Sequence, residues 1–162
     1  MLGRFVEPFD RSGGRQVITK AAKFYLFDVG VAGYLTRGSP VEPRGAAFGR
    51  AFEHFILTEL VAHASYSGHQ YNIRFWRTKS GLEVDFVLGD GDVALEVKGT
   101  DRVDHRDLRP IRTFAEEYSP RAAYVVCDEP AERLAGGIRI TPWRVFLRKL
   151  WSDEIMSART IG

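Results

Sequence analysis

The fold is decided by the stretch Gly81-Leu-Glu-Val-Asp-Phe-Val-Leu-Gly-Asp-Gly-Asp-Val-Ala-Leu-Glu-Val-Lys-Gly99. Two short apolar runs flank a Gly-Asp-Gly-Asp turn, and Asp-Gly steps adopt the positive φ angles that tight hairpins need. The stretch therefore predicts two antiparallel strands, 82–88 and 93–98. Because side chains alternate along a strand, Glu96 and Lys98 should share a face, and the hairpin should bring Asp85 close to Glu96.

These three residues have a chemical interpretation and a structural one. Two adjacent carboxylates repel each other unless a cation lies between them, and a divalent metal ion is a common solution. A lysine beside the pair can hold a water molecule or a phosphate oxygen, as in metal-assisted phosphodiester cleavage. The alternative is an exposed hairpin face with ordinary cross-strand ion pairs.

The apolar residues of the hairpin favour the metal site. Val84, Phe86 and Leu88, with Val93, Leu95 and Val97, are expected on the face opposite the acids. The nearly continuous apolar run 93–97 is typical of a central strand. Unpaired charges are costly on a central strand, so its acids are expected to have partners.

The elements around the hairpin predict an α/β fold. The hydrophobic patterns indicate a helix at 48–64, strands at 71–77, 122–127 and 138–140, a helix at 104–118 with Asp107 as a plausible cap, and a last helix capped by Thr141. The helix between strands 93–98 and 122–127 makes a βαβ crossover, so these two strands should be parallel. The prediction is a mixed sheet flanked by helices, with an α-β-β-β-α-β core.

The N-terminal part of the chain is patterned more weakly. Residues 1–20 are interpreted as an extended arm or loop, followed by a short helix at 29–35 and a linker at 38–45. We therefore divide the chain into an N-terminal arm and short helix at 1–45, a domain at 46–152 and a C-terminal tail at 153–162.

Length and composition are those of one globular domain. The 162 residues include 23 Lys plus Arg and 21 Asp plus Glu, so the net charge of +2 permits nucleic-acid binding without requiring it. The chain shows no apolar stretch of the ~20 residues that a membrane span needs, and no signal peptide. The single Cys127 is interpreted as a small core residue, which is consistent with a reducing cytoplasm.

Other candidate residues surround the hairpin in sequence. Glu53 lies on an apolar flank of the first long helix and is expected to point toward the acidic hairpin, with Glu59 as the weaker candidate. Possible phosphate-binding residues are Arg74, Arg77, Lys79 and Arg102, and also Arg106 and Arg109; they are equally compatible with solvated faces. Trp76 is interpreted as core rather than as a base-stacking residue. The four histidines lack zinc-site spacing and are interpreted as surface or helix residues.

The order of these motifs resembles the core of the PD-(D/E)xK nuclease superfamily, which includes restriction endonucleases. More narrowly, the sequence is similar to DUF4143, a C-terminal domain of unknown function in prokaryotic AAA-type ATPases. The similarity covers most of residues 20–150 and rests on these motifs: Lys23-Phe-Tyr-Leu-Phe-Asp-Val-Gly30, Phe52-Glu53, Phe75-Trp76-Arg77, Glu83-Val-Asp85-Phe86 and Leu95-Glu-Val-Lys98. The ATPase module and most of the winged-helix region that usually precede such a domain are not recognised. The chain is therefore interpreted as a truncated product, a dissected domain or a standalone relative, with residues 1–45 as a remnant of a preceding module.

The resemblance implies a restriction-endonuclease-like fold and a set of functional residues. It implies that Asp85, Glu96 and the carbonyl of Val97 hold Mg²⁺ or Mn²⁺, that Lys98 is the catalytic lysine, and that Glu53 is the helix acid. The implied function is Mg-dependent hydrolysis of phosphodiester bonds in DNA.

Two other functions stay open from the sequence. The first is a non-catalytic DNA- or protein-binding domain that regulates an AAA-type ATPase in cis or in trans. The second is a homo-oligomerisation domain, suggested by the aromatic residues of the last helix.

Overall fold

A computed structural model describes residues 3–10, 21–26 and 45–157 of the chain. The strands are β1 Gly3–Pro8, β2 Lys23–Leu26, β3 Ile73–Arg77, β4 Glu83–Leu88, β5 Val93–Val97, β6 Ala122–Cys127, β7 Arg133–Ala135 and β8 Ile138–Pro142. The helices are α1 Ala46–Tyr66, α2 Arg109–Tyr118 and α3 Trp143–Trp151. The predicted short helix at 29–35 lies outside the described residues.

The strands form one mixed sheet in the order β2-β1-β3-β4-β5-β6-β8-β7. Strands β3, β4 and β5 are antiparallel neighbours, whereas β5, β6 and β8 run parallel to one another. The predicted parallel pairing of strands 93–98 and 122–127 in one sheet is confirmed, because Val93 pairs with Ala122 and Val97 with Val126. All residues of β5 are buried, as expected of a central strand.

Helices cover both faces of the sheet, which confirms the predicted α/β class. On one face, α1 and α3 bury Ile56, Leu60 and Phe146 against the sheet. On the other face, α2 buries Ile111 and Phe114. Within the described part of the chain, no helix combines the length and apolar character needed to cross a bilayer.

Several local predictions are wrong. Residues 3–8 of the expected arm form β1, which pairs with β2 and, at Glu7 and Pro8, with β3, because Val6 is buried against the core. Helix α2 begins at Arg109 rather than near Asp104, since the Asp107 carboxylate accepts a hydrogen bond from the backbone of Asp104 in the preceding turn. Thr141 belongs to β8 and does not cap α3, whose first turn follows Pro142 without a side-chain cap. The proposed division at residue 45 stays a prediction, although β1 and β2 join the same sheet as the later strands.

The interpretation of Trp76 and Cys127 as core residues is confirmed. Trp76 packs edge-on against Phe114, with ring centroids 5.5 Å apart. Cys127 is fully buried, and burial raises the pKa of its thiol to about 11. A thiol with that pKa stays protonated and unreactive at neutral pH.

Candidate active site

A β-bulge in β4 shapes the position of Asp85. Arg74 pairs with Val87 and Trp76 with Val84, so two residues of β4, Asp85 and Phe86, lie opposite one residue of β3. Val84 therefore packs on the α2 side of the sheet, while Phe86 packs on the α1 side. The prediction that Val84 shares a face with Phe86 and Leu88 is wrong for this reason. Bulges of this kind redirect side chains and are common next to active sites.

Asp85 and Glu96 lie where the β4–β5 ladder ends. The last paired residues of this ladder are Phe86 and Leu95. One residue further along in the same register, Asp85 lies opposite Glu96. The Asp85 carboxylate accepts a hydrogen bond from the backbone N–H of Val97, with Oδ2 2.8 Å from the nitrogen. This contact draws the Asp85 side chain onto the end of β5, and Asp85 keeps a partly exposed surface there.

Glu96 is 4% exposed and is bound on one side by Lys98. The Lys98 ammonium lies 2.8 Å from Glu96 Oε1, and the lysine side chain is 30% exposed. The other carboxylate oxygen, Oε2, is buried and has no hydrogen-bond partner among the described residues. A buried carboxylate oxygen without a donor carries a desolvation penalty that a cation would relieve.

The pKa values of this pair reflect that penalty. Burial, then the charges of Glu96 and Glu53, raises the pKa of Asp85 well above its usual range, against the opposing effect of the Val97 N–H. Burial also raises the pKa of Glu96, although Lys98 lowers it in part. Burial lowers the pKa of Lys98, but its pairing with Glu96 and the nearby Asp85 charge outweigh this, so the net shift is upward. Both shifts favour the protonated carboxyl, because the single lysine that pairs with Glu96 does not offset the burial of the two acids.

Glu53 reaches this pair from α1. It contributes to the raised pKa values of both Asp85 and Glu96, so its charge faces the end of the hairpin. Glu59, the weaker candidate, is directed elsewhere, since its carboxylate accepts a hydrogen bond of 2.9 Å from the indole of Trp151. The structure thus brings together Glu53, Asp85, Glu96 and Lys98, which we call the acidic site.

Strand β2 supplies two residues to the acidic site that sequence reasoning missed. The Tyr25 hydroxyl donates a hydrogen bond to the Glu53 carboxylate, at 2.5 Å. Lys23 forms an ion pair with Glu83 and lies 3.8 Å from Glu53. Burial and the Glu53 charge raise the pKa of Tyr25, so the hydroxyl keeps its proton. Both residues belong to the sequence motif that begins at Lys23. That motif supports the family resemblance but does not by itself indicate a contact with Glu53 or Glu83.

The predicted phosphate-binding residues have varied positions. Arg77 pairs with Glu83, with Nε 3.0 Å from Oε2, at the edge of the acidic site. Arg74 lies in mid-strand, beside Val87 of β4. Lys79 is exposed in the turn before β4, and Arg102 is exposed in the loop after β5, 3.9 Å from Asp104. Arg106 and Arg109 are exposed at and before the start of α2.

A second ionisable group lies at the other end of α1. His63 is fully buried within α1, which agrees with its interpretation as a helix residue. Its Nδ1 lies 3.1 Å from the Tyr71 hydroxyl, and its Nε2 lies 3.1 Å from Asp153 Oδ1. The same Asp153 oxygen lies 2.9 Å from His69 Nε2. We call these four residues the histidine cluster.

The acidic site offers few ligands for a metal ion. Over residues 3–10, 21–26 and 45–157, no group of three or more His, Cys, Asp or Glu side chains is arranged to hold one. The candidate set is smaller: two carboxylates, Asp85 and Glu96, with the backbone carbonyl of Val97. A set of this kind is typical of Mg²⁺, which keeps several waters and takes only one or two carboxylates from the protein.

Comparison with known proteins identifies one family. The family model described as "Domain of unknown function (DUF4143)" matches residues 48–146, which include most of α1, the β3–β5 hairpins and the start of α3. No curated protein and no solved structure matches the chain.

Proposed function

The chain belongs to the DUF4143 family, and we propose that it hydrolyses phosphodiester bonds in DNA with Mg²⁺ or Mn²⁺ as its cofactor. The proposal includes membership of the PD-(D/E)xK superfamily and a restriction-endonuclease type of sheet. One observation carries it: Asp85 and Glu96 meet at the end of a central strand with raised pKa values, and Glu96 Oε2 is buried without a hydrogen-bond partner in the part of the chain that the structure describes. Perturbed carboxylates in such a position are candidates for functional residues.

The donor set fits a divalent cation. Asp85, Glu96 and the carbonyl of Val97 would hold it, and hard oxygen ligands are those that Mg²⁺ prefers. When bound, such an ion polarises a phosphoryl oxygen and lowers the pKa of a coordinated water.

The protein residues have separate roles in this proposal. Lys98 lies next to the paired acids, and its pairing with Glu96 raises its pKa, which favours the cationic form. It would orient the attacking water and offset the charge that develops on the phosphate. Glu53, fixed by the Tyr25 hydroxyl, would accept a hydrogen bond from that water. Arg77 at the edge of the site would contact the DNA backbone.

Titration calorimetry of Mg²⁺ and Mn²⁺ tests the proposal directly. Wild type should bind the ion with a heat signal that Asp85→Ala abolishes and Glu116→Gln, an exposed helix carboxylate, leaves unchanged. Each protein is then incubated with single-stranded, duplex and branched DNA. Absence of metal binding by wild type, or equal cleavage by wild type and Asp85→Ala, would refute the proposal.

A specific surface favours the alternative, a non-catalytic DNA- or protein-binding domain that regulates an AAA-type ATPase. Phe5 and Phe24 lie side by side on β1 and β2 at the sheet edge, with ring centroids 4.8 Å apart. They are 63% and 51% exposed. Paired exposed aromatic rings are typical of a protein contact. Phe24→Ser should abolish co-purification with such an ATPase if this function is correct and leave DNA cleavage unchanged.

A further inference from the structure

An aromatic groove begins next to the acidic site. It has a volume of about 460 Å³ and lies between α1 and the start of α3, within the size range of ligand pockets. Its lining includes Phe48, Phe52, Phe55, Asp128, Trp143 and Arg144. We call it the α1–α3 groove.

The groove touches the backbone directly after Lys98. A Cβ built on Gly99 would lie 2.9 Å from the Phe48 ring, so the absence of a side chain at Gly99 lets this ring approach β5. Asp128, on the opposite wall, is linked to the same loop because its N–H donates to the Thr100 carbonyl, at 2.8 Å. One wall of the groove therefore contacts the residue that follows the proposed catalytic lysine in the chain.

The rings of the groove are held in fixed positions. Phe48 and Phe52 are stacked at an interplanar angle of 12°, and Phe55 meets Trp143 edge-on at 87°. The Trp143 indole donates a hydrogen bond of 3.2 Å to Asp128, which fixes the plane of the ring. The Arg144 guanidinium lies over Trp143, 4.2 Å from the ring centroid. The groove thus combines flat apolar walls with an exposed cation at its rim.

From this combination we propose that the α1–α3 groove binds an unpaired nucleobase of a single-stranded polynucleotide. Aromatic walls receive the π-face of any base, and the arginine attracts the neighbouring phosphate. A base stacked inside a duplex cannot enter such a groove. The inference rests on the proposed function in one respect, since it makes single-stranded or partly unpaired DNA the substrate class of the acidic site.

Binding is tested in EDTA, so that no cleavage takes place. The probe is a fluorescein-labelled oligothymidylate of about a dozen nucleotides, the scale of known single-strand sites, and a duplex of the same length serves as comparison. The tryptophan emission of unlabelled complexes reports direct stacking. Wild type and Trp151→Phe should be quenched by the single strand. Trp143→Phe, which keeps an aromatic ring against Phe55, should lose the quenching.

A second pair of variants leaves all the aromatic rings of the groove in place. Arg144→Ala removes the cation over Trp143, and Arg148→Ala removes the same exposed charge one helical turn further along α3. Arg144→Ala should weaken single-strand binding by about 5-fold or more, and Arg148→Ala by less than about 2-fold. Thermal melts of all four variants verify that each is folded.

The inference would be overturned by unchanged Trp143 emission on binding, by equal effects of the two arginine variants, or by duplex binding as tight as single-strand binding. No detectable binding of the single strand also overturns it. If the protein cleaves DNA in Mg²⁺ but the groove variants bind the single strand like wild type, the inference is wrong and the proposed function stands. If the groove variants weaken single-strand binding in EDTA but the protein does not cleave DNA in Mg²⁺, the inference stands and the proposed function is wrong.

Discussion

The acidic site and the histidine cluster both depend on α1, yet their carboxylates behave in opposite ways. Hydrogen bonds and charge from His63 and His69 lower the pKa of Asp153. In the acidic site, burial and neighbouring acids raise the pKa values of Asp85 and Glu96, despite the Val97 N–H at Asp85 and Lys98 at Glu96. The difference lies in the balance of charge: the histidine cluster supplies its own donors, whereas the acidic site has an excess of acceptors. Such an excess is the property that separates a site prepared for an external cation from a structural ion pair.

The largest expected effect concerns Lys98, because it would show that the acidic site is catalytic. We expect Lys98→Ala to leave metal binding largely intact and to reduce the cleavage rate by about 10²–10³, the usual cost of one electrostatic group. Lys149→Ala, which removes a lysine that pairs with Glu132, is the matched control. If Lys98 is instead a structural counter-ion, the variant should melt early, recover in mild acid and show no response to Mg²⁺.

The second prediction tests the excess of acid directly. The pKa of Asp85 is higher in the folded state than in the unfolded chain, where it is about 4. The contribution of Asp85 to stability is therefore fully present below the unfolded pKa. It is lost as the pH rises through the folded pKa. Asp85→Asn removes this loss at neutral pH, so the free energy of unfolding should rise by about 1 kcal/mol or more without metal. Mg²⁺ should stabilise wild type and not the variant. Denaturant titrations provide the check at pH 5, which is about one unit above the unfolded pKa, and at pH 7.5, which is well above it. A variant less stable than wild type at neutral pH would contradict the prediction.

A third, smaller effect is expected at Tyr25. Its hydroxyl donates to Glu53, and a hydrogen bond to a charged group in a partly buried place contributes on the order of 1 kcal/mol. Tyr25→Phe should therefore lower the free energy of unfolding by about that amount, and it should also weaken Mg²⁺ binding by releasing Glu53. Tyr66→Phe, on a side chain that is 83% exposed, is the control. If the two variants are equally stable, Tyr25 does not contribute to the acidic site.

The smallest effect is expected at Asp153. Its replacement by asparagine should lower stability at neutral pH, whereas the same replacement at Asp85 should raise it. Asp153 has a lowered pKa, so it stabilises the fold above the unfolded value of about 4, and this is lost as the pH falls through the folded value. Asp153→Asn should slightly lower the midpoint of thermal unfolding at neutral pH, and the difference from wild type should vanish in acid. Glu154→Gln, the exposed neighbour, should cause no such change. An increase in the midpoint for Asp153→Asn would erase the contrast between the two regions.

The parts of the fold that sequence predicted are those with long apolar runs and local turns. The hairpin 82–98, helix α1 and strand β6 bury continuous hydrophobic faces, so their patterns determine them. Strand β1 buries Val6 but exposes Phe5, and β7 has three residues that are exposed or half-buried, so neither carries a readable pattern. The bulge at Asp85 depends on pairing with β3 and leaves no mark in a single sequence.

The candidate site divides in the same way. Asp85, Glu96 and Lys98 come from one hairpin, where strand alternation and a short turn fix their proximity. Lys23 and Tyr25 reach Glu53 and Glu83 across 28 to 60 residues of sequence, and the histidine cluster joins positions 90 residues apart. Contacts at such separations depend on the tertiary arrangement, so composition and periodicity contain no signal for them.

Strand β1 has a short attachment to β3, and this affects how a force on the first two strands would reach the acidic site. Strand β1 joins β3 at two residue positions, Glu7 with Arg74 and Pro8 with Phe75, and β2 then holds the acidic site through Lys23 and Tyr25. A pull on β2 is therefore transmitted to Glu53 and Glu83 through two side chains. Tension on the N-terminal hairpin would loosen the acids of α1 and β4 before it unfolds the centre of the sheet.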